Sequence, residues 1–221
     1  FQPSLEAKYG PATQVILSYS WRAVKESTSL LNALLDKIPN NTEIFPNSLV
    51  IDSGEVILLQ LAGVHHRGAF SSVYPTFISC CKRCNRTKGL EQQPGQWLHE
   101  NLALIKTKAQ YITRRSGGLP YLITAVLAAE KDEKRPLLNS TFNTLYEIAK
   151  SPALSSAEEK MDLPQVHAFN CIKALFIETE LSSFSSYFVD RALELAIMSF
   201  SHPIWAIRNC AVMNLHRPDI A

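Results

Sequence analysis

The stretch QVILSYSWRAVKESTSLLNALLDKIPNN, Gln14 to Asn41, places Ile16, Ala23, Leu30, Leu31, Leu34 and Leu35 at three- and four-residue steps, with Arg22, Lys25, Glu26 and Asp36 between them. Side chains three or four apart share one face of an α-helix, whereas a half-buried strand needs strict alternation. Pro39 stops the run, because it has no N–H to continue the ladder. The spacing predicts one long amphipathic helix over Gln14–Ile38.

The same period recurs along the chain. Helices are expected from Ser53 to Gly63 and from Arg67 to Cys84, with Pro75 kinking or splitting the latter. A fourth runs from Pro94 to Ile112. A fifth follows Gly117-Gly118 with Pro120 in its first turn, and a sixth covers Pro136 to Lys150. Residues 151–160 (SPALSSAEEK) read as a mobile loop. Asp162 and Gln165, three apart with Pro164 between, have capping-box spacing for a seventh helix. An eighth is expected over Ser185–Ser199, and a ninth opens with Ser201 as cap and Pro203 behind it. No segment offers a run of alternating β-branched residues. An all-α architecture follows, either a closed bundle or a solenoid of antiparallel helix pairs. No crisp repeat is visible, as in degenerate HEAT or armadillo repeats of ~40–47 residues. The solenoid is the preferred expectation, with residues 1–221 as a single segment of something longer.

The composition is that of a globular chain: 46% hydrophobic and 19% charged over 221 residues, which excludes wholesale disorder. No apolar run approaches the ~20 residues of a membrane helix. Five cysteines, three of them at 80, 81 and 84, do not suggest a disulfide framework and fit a reduced, cytoplasmic setting. The net charge of +2 hides an asymmetry. His65–Arg115 holds nine Lys/Arg against two acids, net +7, and the remainder is net −5. Such a basic middle is a plausible footprint for a polyanion, or for an acidic protein partner.

Cys81-Lys82-Arg83-Cys84 has CxxC spacing but lacks a second ligand pair, so small buried cysteines are the simpler reading and no metal is expected. GxSxG, GxGxxG and P-loop motifs are absent, and no Gly-rich turn offers a cofactor cradle. No catalytic residue is expected. Two turns carry clustered cations: His65-His66-Arg67-Gly68, and Arg114-Arg115-Ser116-Gly117-Gly118-Leu119-Pro120. Adjacent arginines at such a turn suit a phosphate or carboxylate row. They equally suit a basic C-terminal cap complementing the helix dipole, which is the simpler reading from the residues alone. Arg208 and Asn209 in helix nine, and His167 with Asn170 in helix seven, place polar groups among core residues.

The strings SYSWRAVKE (Ser18–Glu26), HHRGAF (His65–Phe70), RRSGGLP (Arg114–Pro120), VHAFNCIKALF (Val166–Phe176) and WAIRNCAVM (Trp205–Met213) occur in that order. Together they resemble the central domain of the thyroid-adenoma-associated protein family, over about Gln14 to Met213. The resemblance implies a fragment of a very large armadillo-like protein. In fungi its members are non-catalytic regulatory subunits, directing a separate S-adenosylmethionine-dependent tRNA 2′-O-ribose methyltransferase to the first position of the anticodon loop. The implied partners are that methyltransferase and the tRNA anticodon stem-loop, with the cofactor held by the enzyme. By the resemblance, Arg114 to Pro120 inherit the family's activity-linked signature, with Gly117 where the family commonly has Ala. His65, His66, Arg67, Arg208 and Asn209 join them as expected tRNA or partner contacts. Animal relatives linked to calcium-pump regulation keep a protein-only scaffold open as the alternative.

Overall fold

A computed structural model describes residues 11–63, 67–107, 117–152 and 163–215. Among these residues there is no strand, and nine helices longer than two turns follow in order. They are α1 (Ala12–Lys37), α2 (Asn47–Gly63), α3 (Arg67–Cys84), α4 (Gln93–Thr107), α5 (Leu119–Ala128), α6 (Pro136–Lys150), α7 (Pro164–Ile177), α8 (Val189–Ser199) and α9 (Trp205–Leu215).

Odd-numbered helices stack in one row: α1 on α3, α3 on α5, α5 on α7 and α7 on α9. Even-numbered helices form a second row, with α4 on α6 and α6 on α8, and each packs on the odd helix that follows it. This two-row stack is an α-solenoid. Its repeat is legible in the hydrogen bonds that join one odd helix to the next. Thr76 Oγ1 donates to the Thr28 carbonyl, Arg83 Nη1 to Leu35, Asn85 Nδ2 to Ala129, and Lys131 Nζ to Asn85, across separations of 44 to 48 residues. That spacing is the size of a HEAT or armadillo unit. The bonds also fix direction, since Thr28 meets Thr76 and Leu35 meets Arg83, so α1 and α3 run parallel.

α5 is the hub. Every residue from Leu122 to Ala128 is buried, as expected of a helix that is apolar all round. Trp97 of α4 lies flat on α2 at Gly54, where a Cβ would fall 2.1 Å from the indole Cη2. A larger residue at 54 would evict that ring from its place beside Phe77, 5.8 Å away between centroids.

Several expectations shift. Pro75 does not split α3, which is continuous through it. Val73, Phe77, Cys80, Cys81 and Cys84, all buried, hold both sides in place. The capping box at α7 is not what starts that helix. The N-cap is Leu163 with no side-chain cap, Asp162 lies outside the described residues, and Gln165 Nε2 instead donates to Ser151 O at 3.1 Å. The expected eighth helix begins only at Val189, preceded by single turns over 179–188. At α9 it is His202, not Ser201, that receives the Ile204 N–H, on Nδ1 at 3.1 Å. The expected mobile loop falls almost wholly outside the described residues.

A candidate interface at a helical junction

Gly117 has φ +52, in the left-handed region that favours glycine. Gly118 then caps α5 without a side chain, and Pro120 sits in the first turn, where a missing N–H costs nothing. The Gly118 backbone lies directly on α2. A Cβ at 118 would be 1.9 Å from the Leu61 carbonyl oxygen and 2.7 Å from its carbonyl carbon. Leu61 is two residues from the end of α2, and α3 starts at Arg67. The described flanks of the two cation-bearing turns therefore meet.

The junction is firmly held. The Tyr121 ring sits edge-on to Tyr74 of α3, with centroids 5.6 Å apart. Tyr74 Oη donates to Glu178 Oε2 at 2.5 Å. Burial, and then that bond, keep the Tyr74 phenol above its ordinary value, so it remains a donor. Lys106, exposed in the last turn of α4, projects at the same end of the stack.

The expected site residues divide. Gly117, Gly118 and Pro120 form the turn just described. Arg67 opens α3 with Gly68 behind it, while His65, His66, Arg114, Arg115 and Ser116 lie outside the described residues. Arg208 and Asn209 are elsewhere, on α9, which packs on α7 and α8 two steps along the odd row. Arg208 Nη1 donates to His202 O at 2.6 Å and Pro203 O at 2.8 Å, closing the turn before its own helix. Asn209 is exposed.

The basic middle is not one patch. Arg83 is 2% exposed. Its guanidinium donates to the carbonyls of Leu35, Ile38 and Pro39 at 2.9, 2.7 and 3.1 Å. It is a clamp on the C-terminus of α1, stacked 4.6 Å over the Phe45 ring. Lys82, Arg86 and Lys88 are exposed at the C-terminal end of α3. That end is about 27 Å from Arg67 for an 18-residue helix at ~1.5 Å per residue.

Cys80, Cys81 and Cys84 are fully buried. Burial pushes the Cys81, Cys171 and Cys210 thiols up, toward the protonated form. No group of three or more His, Cys, Asp or Glu among the described residues is placed to hold a metal, and no described helix is long and apolar enough to cross a membrane. Sequence reasoning missed Leu61. Its part is played by a backbone carbonyl, which leaves no signature in residue type.

Stacked antiparallel pairs with a charged turn at their edge place the chain among helical-repeat proteins. The family described as THADA/TRM732, DUF2428 matches residues 3–206, and the chain belongs to that family. It is 46% identical over 206 residues to the tRNA (32-2'-O)-methyltransferase regulator trm732 of Schizosaccharomyces pombe, covering 90% of this chain and 14% of that protein. The regulators named THADA from Gallus gallus and Homo sapiens are 35% and 32% identical over 214 and 213 residues, covering 90% of this chain and 11% of each. The chain thus spans a small part of the length of these relatives. No solved structure matches it.

Proposed function

We propose that this chain is part of a non-catalytic regulator that binds a tRNA 2′-O-ribose methyltransferase and directs it to the first nucleotide of the anticodon loop. The observation that carries this reading is the match across nine-tenths of the chain to proteins named as regulators of that enzyme. The glycine junction supports it by presenting Arg114 and Arg115 beside α2. In this reading the enzyme holds S-adenosylmethionine and the catalytic groups, and the complex works in the cytoplasm. The regulator contributes placement, and misplacing a reacting group by ~1 Å can cost on the order of a hundredfold in rate.

The test is Arg114→Ala/Arg115→Ala in the full-length protein, reading 2′-O-methylation at that ribose by mass spectrometry of isolated tRNA. Methylation is expected to fall to background with melting unchanged, because losing exposed cap charges costs only ~0.3–1 kcal/mol each. Full methylation at normal stability removes the pair from the interface. Early melting assigns it to the scaffold instead.

A protein-only scaffold is the second reading, favoured by the split of the basic middle and by Arg83 being spent internally. Under it, tRNA affinity is weak and nearly independent of salt. Phosphate contacts would make it fall steeply.

A further inference from the structure

We infer that the α2–α3 turn and the α4–α5 turn form one composite surface for successive phosphates of an RNA backbone, with Gly118 as the positioning residue that joins them. This rests on the reading above and goes beyond it, because the α2–α3 turn is some fifty residues away in sequence.

Three observations support it. First, contact at Gly118 is backbone on backbone: a Cβ would stand 1.9 Å from Leu61 O and 3.0 Å from Leu61 Cα. No side chain can be inserted without parting α2 from α5. Second, both sides of the contact are rigid. Leu61 and Ile123 are fully buried, and the Tyr74–Tyr121 ring contact ties α3 to the first turn of α5. The flanks of the two turns therefore move as one body. Third, charge there is unopposed. Residues 61–70 and 101–118 contain Arg67, Lys106, Lys108, Arg114 and Arg115, with His65 and His66, and not one Asp or Glu. Cations spread over two adjoining turns match a row of phosphates better than a single anion. Gly117, with its positive φ, reverses the chain immediately before the contact.

The experiment is a double-mutant cycle in the full-length regulator. The affinity for tRNA is measured across a salt series for wild type, Arg67→Ala, Arg115→Ala and the double variant. Each single variant is expected to weaken binding and to reduce the slope of log affinity against log salt by roughly one. The double variant should lose less than the product of the two, by more than the about twofold scatter of independent sites. Gly118→Ala should reproduce the double variant's loss. If that protein melts early, the cycle, which leaves Gly118 intact, still decides.

Multiplicative effects, or no effect of Arg67→Ala beside a clear one of Arg115→Ala, overturn the composite surface and leave the proposed function standing. No effect of either arginine on tRNA binding or methylation overturns both. Loss of methyltransferase binding with unchanged tRNA affinity and slope assigns the surface to an acidic protein segment, which overturns an RNA surface.

Discussion

At position 83 a guanidinium that looks like surface charge in the sequence is spent inside the stack. Arg135 repeats the device, donating to Leu127 O and Glu130 O at 3.1 and 2.7 Å and stacking 4.3 Å over Phe184. Removing the Arg83 fork would strand three carbonyls at the end of α1. Hydrogen bonds to charged groups are worth about 1.5–3 kcal/mol each and are not additive. Arg83→Ala should therefore lower unfolding free energy by about 3–5 kcal/mol in denaturant titrations. Arg83→Lys should recover less than half, since a point charge cannot serve three diverging acceptors. Neither role was legible beforehand: an arginine in a CxxC string carries no mark of where its fork ends up. The two glycines divide differently. Gly117→Ala should cost only about 1–2 kcal/mol, the price of one alanine in the left-handed region. A thermal melt of that variant showing no change would mean the turn relaxes out of its positive φ.

Elements were read more readily than caps. α1, α3 and α6 end within a residue or two of their expected bounds, because periodicity over many residues averages out single exceptions. The starts of α7 and α9 were not, since a cap depends on one side chain finding one N–H. Gln165 was drawn away by Ser151, a partner fourteen residues off. Pro75 is a different matter. It is exposed in a helix that continues past it, so its ring fills no core position. A proline inside a helix costs ~3 kcal/mol relative to alanine, part of which the packed flanks already absorb. Pro75→Ala should thus raise stability by about 1–2 kcal/mol. A lower melting temperature would show that the proline shapes how α3 seats on α1.

Across the whole molecule, the row of odd helices has ends. α1 buries Thr28 and Leu35 against α3, yet Ile16 and Leu30 on its other face are each 63% exposed and Tyr19 is 75% exposed. The sequence assigned Ile16, Ala23, Leu30 and Leu34 to the same stripe as Leu31 and Leu35. The period cannot tell a helix with one apolar face from one with two, because both give short steps. An exposed stripe of this kind makes a free surface adhesive. Residues 1–221 expressed alone should self-associate in sedimentation velocity at tens of micromolar. Ile16→Glu/Leu30→Glu should return the protein to monomer with its melting unchanged; persistent association would place the contact elsewhere.

Among the described residues, the side-chain hydrogen bonds linking successive odd helices lie at mid-helix or at their C-terminal ends: Thr76, Arg83, Asn85 and Lys131. At the opposite ends, the described contact is Gly118 resting on Leu61, shape against shape. The stack is thus stitched along one edge and merely abutted along the other, like pages sewn at a spine. Flexing it opens the unsewn edge first, which is where the two cation-bearing turns are. The width of that edge becomes a function of the curvature of the whole solenoid, so a load applied repeats away is felt there as a change of spacing between turns.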